Sequence, residues 1–249
     1  MKTKHFLIAM LGMATAALSL QSCNDDDDNL YYIYPASSYN ALVTVKPNTD
    51  NTSVFLQLDD STTLFPRNIA KSPFGTKEVR ALAQIIKTTD QTDGYTYTVD
   101  VNRIDSILTK NMAANLGDEK NATTYGTAPV EIVNDWVTVA EDGYLTLRFR
   151  TNWGGSKKHW VNLVQTDPSK PYDLTFFHSA EGDGNAYTAD GLVAFRLDQL
   201  PVTDDKNIEI TLHWKSFSGD KSHTFKLARR KAKAASLNLS GLNYKAIAR

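Results

Sequence analysis

Ile208-Glu-Ile-Thr-Leu-His-Trp214 carries an apolar side chain at every second position. Successive side chains of a β-strand point to opposite faces, so this alternation predicts a strand with one face in a core and the other toward water. Ile210 lies in the middle of the apolar face, where an aspartate would bury a charge that has no partner. Ile210→Asp is therefore expected to unfold the domain that contains this strand.

The second half of the chain repeats this alternation at a spacing that is typical of a β-sandwich. The repeats are separated by glycine, proline and aspartate turns and occupy residues 144–150, 159–164, 174–177, 192–197 and 223–227. Adjacent glycines in Asn152-Trp-Gly-Gly-Ser156 permit the positive φ of a tight turn, so we expect residues 144–150 and 159–164 to form a hairpin. Trp153 is expected to be exposed in that loop.

Shorter alternating stretches fill the first half of the chain, and several short strands in so few residues predict a small closed barrel. Strands are predicted at Asn40-Ala-Leu-Val-Thr-Val-Lys46 and Tyr95-Thr-Tyr-Thr-Val-Asp-Val101. Asp59-Asp60-Ser61 predicts a hairpin turn rather than an acid/base pair, because adjacent strand residues point to opposite faces. Residues 78–87 fit helical and strand spacing equally well, so periodicity leaves their structure open.

Residues 111–128 are polar and contain glycine, which is typical of a segment that separates domains. We expect a barrel domain over residues 37–119, a sandwich domain over 120–228 and a basic tail over 229–249. The fold class is therefore predicted to be all-β. A solvated tail is favoured, with attraction to anionic lipid or to an acidic partner as the alternative.

Leu20-Gln21-Ser22-Cys23 follows a short basic start and an apolar run, residues 6–20, that is too short to span a bilayer. It resembles a lipobox, the recognition site of the bacterial lipoprotein signal peptidase. The resemblance implies that residues 1–22 are a cleaved signal peptide and that Cys23 carries a diacylglycerol and an acyl group such as palmitate. Each buried methylene contributes roughly 0.8 kcal/mol to membrane partitioning, so several chains should hold the protein at its membrane.

A lipidated acidic tether is expected over residues 23–36, and it contains four consecutive aspartates: Asp25, Asp26, Asp27 and Asp28. This run is similar to the signal that sends lipoproteins to the cell surface in one Gram-negative phylum, and a solvated spacer is the alternative. We favour surface exposure on the outer membrane. A tyrosine cluster follows, and we expect it to dock on the first domain rather than to contact headgroups or sugars. Its members are Tyr31, Tyr32, Tyr34 and Tyr39.

Short stretches in both halves resemble one family, the NigD-like lipoproteins. Its N-terminal OB-type domain is similar to Leu42-Val-Thr-Val45, Phe55-Leu-Gln-Leu-Asp-Asp60, Thr62-Thr-Leu-Phe-Pro66 and Arg80-Ala-Leu-Ala-Gln84. Its C-terminal β-sandwich is similar to Asp135-Trp136, Asp142-Gly-Tyr-Leu-Thr-Leu147, His159-Trp-Val-Asn-Leu163 and residues 208–214. The resemblance implies that residues 78–87 are a strand, and that the protein is a secreted lipoprotein associated with bacteriocin loci and an immunity-like role.

Composition and motifs argue against several classes of function. The 27 lysine and arginine residues nearly balance 28 aspartate and glutamate residues, and the chain lacks a basic stretch with interleaved aromatics, so we expect no nucleic acid partner. It also lacks a Gly-x-Ser-x-Gly elbow and a phosphate-loop pattern, so we expect neither catalysis nor a cofactor.

Metal binding is not expected either. Glu181-Gly-Asp-Gly-Asn185 has acids at alternate positions, but Ala186 and Leu192 replace the glycine and the twelfth-position acid of a calcium loop. Four histidines lack a second histidine at ligand spacing, namely His159, His178, His213 and His223. Those on strands are expected to be exposed, or buried with hydrogen-bond partners.

Two hypotheses of function follow. The leading one is a non-catalytic cell-surface lipoprotein that binds a protein partner in bacteriocin immunity or envelope assembly. The alternative is a lipoprotein that binds or handles glycans, with Trp153, Tyr32 and Tyr34 as candidate ligand contacts.

Overall fold

The computed structural model describes residues 39–201 and 207–228. Several predictions therefore lie outside the described residues: the signal peptide, Cys23, the aspartates Asp25 to Asp28, Tyr31, Tyr32, Tyr34 and the basic tail. Within the described ranges, the structure has no helix that is long and apolar enough to cross a membrane.

The regular secondary structure of the described residues is almost entirely β-strand, which confirms the predicted all-β class. The strands are β1 (Ala41–Pro47), β2 (Val54–Gln57), β3 (Thr63–Pro66), β4 (Val79–Lys87), β5 (Tyr97–Ser106), β6 (Leu108–Asn111), β7 (Glu131–Ile132), β8 (Val139–Glu141), β9 (Tyr144–Trp153), β10 (Trp160–Gln165), β11 (Asp173–Ser179), β12 (Tyr187–Arg196), β13 (Asn207–Ser216) and β14 (Gly219–Ala228). One helix, α1 (Asp118–Tyr125), lies between β6 and β7.

The first five strands form a closed barrel in the order β1-β2-β3-β5-β4. In the stretch that periodicity left open, residues 79–87 form strand β4, as the family resemblance implied. The predicted hairpin is also present, because Leu56 of β2 pairs with Leu64 of β3. β1 does not follow the simple alternation, since Leu42 and Thr44 are buried along with their neighbours. Leu42 packs toward the second half of the chain, whereas Val43 and Val45 fill the barrel.

The later strands form two packed sheets, β10-β11-β13-β14 and β6-β12-β9-β7, with β8 paired to β9. The predicted core stripe of β13 is confirmed, because Ile210 and Leu212 are fully buried. The expected hairpin between residues 144–150 and 159–164 is wrong. β9 pairs with β12 and β10 pairs with β11, so the loop between β9 and β10 crosses from one sheet to the other.

The segment after Ile107 belongs to the sandwich rather than to a spacer. β6 pairs in parallel with β12, with Leu108 opposite Val193. α1 then packs on the other sheet, where Tyr125 contacts Phe177 at a ring distance of 5.9 Å. β6 and α1 therefore lie against the sandwich sheets, while the Thr109 hydroxyl of β6 also accepts a hydrogen bond from the Arg80 N–H of the barrel at 3.0 Å.

A third apolar cluster joins the barrel to the sandwich. Leu42 and Leu82 come from the barrel, and Tyr144 and Ala194 come from the sandwich. Tyr39 packs into this cluster and donates a hydrogen bond to Asp105 Oδ2 at 2.6 Å, so docking is confirmed for this one tyrosine. The two halves thus share a continuous buried surface.

Candidate functional site

Three connections meet at one end of the sandwich, named here the loop end. Residues 154–159 join β9 to β10, residues 180–186 join β11 to β12, and residues 217–218 join β13 to β14. The start of β10 pairs with the end of β11, and β11 runs parallel to β13, so all three connections leave the sheets at the same end. Surface loops on a rigid sheet framework are the common location of binding residues.

The loop end carries three exposed aromatic side chains. Trp160 is 47% exposed, Tyr187 is 51% exposed and Phe217 is 49% exposed. Each lies at the first residue of a strand or in a turn, and the ammonium of Lys158 lies 4.8 Å from the centroid of the Trp160 ring. The other large apolar side chains that are exposed among the described residues are Leu116 and Ile86, the latter on the barrel.

Asp183 fastens the first two loops to each other. Its Oδ2 accepts hydrogen bonds from the backbone N–H groups of Gly154 at 2.6 Å and Gly155 at 3.0 Å. Its Oδ1 accepts from the Ser156 hydroxyl at 2.6 Å and the Ser156 N–H at 3.1 Å. These bonds, led by that from the Ser156 hydroxyl, hold the pKa of Asp183 well below its usual range, so the carboxylate stays charged.

Two buried histidines lie beneath these loops. His159 Nδ1 is 2.9 Å from His178 Nε2, and His159 Nε2 is 3.3 Å from Asp183 Oδ2. The Trp153 ring stacks on His159 at 3.9 Å. Burial, followed by the neighbouring His159, lowers the pKa of His178 to about 4. Burial also lowers the pKa of His159, against the opposing hydrogen bond and charge of Asp183.

His178, on β11, is buried with hydrogen-bond partners, as expected for a strand histidine, and the register of β10 with β11 places Val161 opposite it, which brings its ring to His159. The expected exposure of Trp153 is wrong. Trp153 is only 8% exposed, since its ring packs on His159 and its indole N–H donates to the Ala189 carbonyl at 3.0 Å. Exposed aromatics do exist at this end, but they are Trp160, Tyr187 and Phe217.

The candidate metal and acid/base residues have structural roles. Asp183 of the calcium-like stretch binds backbone N–H groups, and within the described ranges no group of three or more histidine, cysteine, aspartate and glutamate side chains could hold a metal ion. The predicted turn at Asp59 and Asp60 is confirmed. Asp59 Oδ1 accepts the N–H groups of Ser61 at 2.8 Å and Thr62 at 2.7 Å, while Asp60 Oδ1 accepts the N–H of Asp142 at 2.7 Å.

The loop end thus combines exposed aromatic faces with a firmly held framework. Asp183 is committed to the loop backbone, and His159 and His178 are covered by protein. A nucleophile or acid/base group needs access to a substrate, which these buried rings lack. The arrangement is suited to contact another molecule.

Comparisons with known proteins agree with this two-part architecture. A family model described as a NigD-like N-terminal OB domain matches residues 42–107. A second model, described as a NigD-like C-terminal beta sandwich domain, matches residues 113–227. No curated protein matches the chain.

Several solved structures are similar to the chain. The crystal structure of a protein described as toxin-related, from Parabacteroides distasonis ATCC 8503, is 34% identical with a TM-score of 0.65, and the match covers 76% of this chain and 92% of that one. A NigD-like immunity protein from Bacteroides caccae ATCC 43185 is 20% identical with a TM-score of 0.55, over 79% of this chain and 99% of that one. A Bacteroides vulgatus ATCC 8482 protein of unknown function is 19% identical with a TM-score of 0.61, over 84% and 97%. The last two show the fold alone.

Proposed function

The chain belongs to the NigD-like family, and from that premise we propose that it is a non-catalytic binding module held in the cell envelope by lipid on Cys23. The observation that carries the proposal is the group of exposed aromatic rings at the loop end, formed by Trp160, Tyr187 and Phe217. Aromatic side chains are enriched where proteins bind partners, because they bury a large area with few rotatable bonds.

A protein is the favoured partner. Trp160 begins β10 in one sheet, Tyr187 begins β12 in the other, and Phe217 lies in the turn after β13, so both sheets contribute exposed rings to the loop end. The B. caccae relative is called an immunity protein, and we extend that role to this chain as part of the proposal.

Glycan binding is the second candidate. Planar aromatic rings stack on the apolar faces of sugars, and Trp160 and Tyr187 are accessible for such contact. Trp160 and Tyr187 take over the role of candidate sugar contact from Trp153, whose ring is buried. Lys158, beside Trp160, could donate hydrogen bonds to sugar hydroxyl or acid groups.

The two candidates are separated by one set of variants. Trp160→Ala, Tyr187→Ala and Phe217→Ala are combined, and Ile86→Ala on the barrel serves as the control because Ile86 is equally exposed at 51%. If the partner is a protein, crosslinking on intact cells captures one protein with the wild type and the control but not with the triple variant. Loss of binding on a glycan array would instead support the glycan. A triple variant that keeps its partner would rule out the loop end as the binding surface.

Anchoring at the outer membrane is tested separately. Lipidation of Cys23 should hold the chain at the membrane, so Cys23→Ala should release it into the soluble fraction. Replacing Asp25, Asp26, Asp27 and Asp28 with asparagine should keep the anchor but prevent labelling by antibody on intact cells. Cys23→Ala protein that stays with the membrane would contradict the anchor, and undiminished labelling of the asparagine variant would contradict the export signal.

A further inference from the structure

Three polar contacts run in a line through the two buried histidines. His178 Nδ1 faces the Ala128 carbonyl oxygen at 3.2 Å, His178 Nε2 faces His159 Nδ1 at 2.9 Å, and His159 Nε2 faces Asp183 Oδ2 at 3.3 Å. The carbonyl and the carboxylate at the two ends can only accept hydrogen bonds. Each contact therefore needs one proton on a ring nitrogen.

Two neutral histidines cannot supply these protons. Each neutral imidazole carries one N–H, which gives two protons for three contacts, so one contact would set lone pair against lone pair. Two imidazolium rings would carry four protons and would set two N–H groups against each other between His159 and His178. One additional proton gives three protons for three contacts, and this is the state that the observed distances fit.

From this count we infer that His159 and His178 together form a buried binding site for a single proton, whose positive charge lies on His159 against Asp183. This inference goes beyond the proposed binding function and does not depend on it. The Asp183 carboxylate is a stronger hydrogen-bond acceptor than the Ala128 carbonyl. The neutral pair therefore keeps a proton on His159 Nε2 and leaves His178 Nδ1 without one. Proton uptake then completes the bond from His178 to the Ala128 carbonyl.

The surroundings of the pair support binding of one proton and not two. Asp183, from the 180–186 loop, faces His159 Nε2 at 3.3 Å, and it remains ionised because its pKa is lowered by the loop hydrogen bonds. β9 contributes Trp153 and Phe149, which carry no charge. The ammonium of Lys157 is engaged with the Glu181 carbonyl, and that of Lys158 lies over Trp160. Burial, followed by the charge of His159, lowers the pKa of His178, so a second proton on the pair is disfavoured.

The proton links three separate segments. His159 immediately precedes Trp160, His178 is on β11, and Ala128 lies in the connection from α1 to β7. In the singly protonated state all three are joined through one chain of hydrogen bonds that ends at the 180–186 loop. Loss of the proton removes one bond from this chain.

Ring protonation in the purified full-length protein can be read by NMR, because N–H and lone-pair ring nitrogens have different 15N shifts. At high pH we expect one N–H on each of the two rings. On acidification His178 Nδ1 should become an N–H nitrogen, while a single proton stays between His159 Nδ1 and His178 Nε2. The midpoint should lie below the ordinary histidine value, because burial lowers the pKa of His159.

Asp183→Asn provides the second measurement, since it removes the charge that favours the imidazolium. The midpoint of the pair should fall in this variant. Asp173→Asn is the matched control, because Asp173 Oδ2 lies 3.6 Å from Nε2 of the more exposed His213, and it should leave the pair unchanged. The inference is overturned if both rings become imidazolium in one step near the ordinary histidine pKa. It is also overturned if both rings stay neutral, with one N–H each, until the protein unfolds. An unchanged midpoint in Asp183→Asn would also overturn it, and the wild-type titration decides the question if that variant does not fold.

Discussion

Arg80 is a buried cation between the barrel and the sandwich. Its guanidinium is fully covered and donates to Thr44 Oγ1 at 2.9 Å and to Glu141 Oε1 at 2.6 Å. Arg80 is on β4 of the barrel and Glu141 is on β8 of the sandwich, so the ion pair joins the two halves. Burial raises the pKa of Glu141, and Arg80 opposes that shift.

Arg80→Met should lower the free energy of unfolding by about 3–5 kcal/mol at pH 8, because it leaves the Glu141 carboxylate buried without its cation. Without Arg80 the pKa of Glu141 rises further above its unfolded value, so the folded state binds a proton that the unfolded state does not. Stability of the variant is therefore lost as pH rises, and its deficit relative to the wild type should shrink between pH 8 and pH 5. Urea denaturation at both pH values measures this.

The control for this prediction is Arg67→Met. Arg67 also pairs with two carboxylates, Asp90 and Asp100, but its side chain is 51% exposed. An exposed pair contributes about 0–1 kcal/mol, so this variant should remain near wild-type stability. Equal losses for the two variants, or a loss for Arg80→Met that does not change with pH, would contradict the role assigned to burial.

The buried histidine pair could not be predicted from the sequence alone. His159 and His178 lie in different stretches, and their spacing along the chain matches no local ligand pattern. Alternation predicts that each stretch is a strand, but it does not predict which strands pair or in what register. The pair arises only once β10 and β11 are aligned, which is a tertiary property.

At the scale of elements, α1 is bounded by two glycines with different surroundings. Gly117 precedes the helix with φ 90° and Gly126 follows it with φ 82°, a backbone conformation that side chains rarely adopt. A Cβ at Gly117 would meet nothing within 4 Å. A Cβ at Gly126 would lie 2.6 Å from the Cβ of Ser179 and 2.7 Å from the His178 carbonyl oxygen.

These surroundings predict different costs for the same substitution. Gly117→Ala should lower stability by about 1–3 kcal/mol, the cost of backbone strain alone. Gly126→Ala should lose roughly 1–3 kcal/mol more, because the added methyl overpacks against the end of β11. Thermal unfolding of both variants provides the measurement. Equal losses of stability in the two variants would contradict the predicted overpacking of an added methyl at position 126 against β11.

The connection between β9 and β10 explains one failure of sequence reasoning at this scale. Two alternating stretches around Gly154 and Gly155 predict a hairpin, because adjacent strands usually pair. In the structure Asp183 binds the N–H groups of both glycines, so the loop is held by the 180–186 loop and β10 enters the opposite sheet. Alternation identified both strands correctly but carried no information on sheet assignment.

For the whole molecule, resemblance to a two-domain family predicted the barrel and the sandwich but not their contact. Alternation along β1 places Leu42 and Thr44 on the face opposite Val43 and Val45. They are buried as well, because the sandwich covers the outer face of this part of the barrel. Sequence alternation records which residues share a face and cannot tell whether a second domain covers the other one.

Because this contact is apolar and includes the Arg80–Glu141 ion pair, we expect the barrel and sandwich to unfold in one transition. All four tryptophans lie in the sandwich half, so their fluorescence reports on that half, whereas circular dichroism reports on both. Leu64→Ala removes a fully buried side chain from the barrel and should lower stability by about 2–5 kcal/mol. If the halves are coupled, this barrel variant should shift the tryptophan transition in urea as far as it shifts the dichroism transition. A tryptophan transition that stays at its wild-type midpoint would show that the two halves unfold independently.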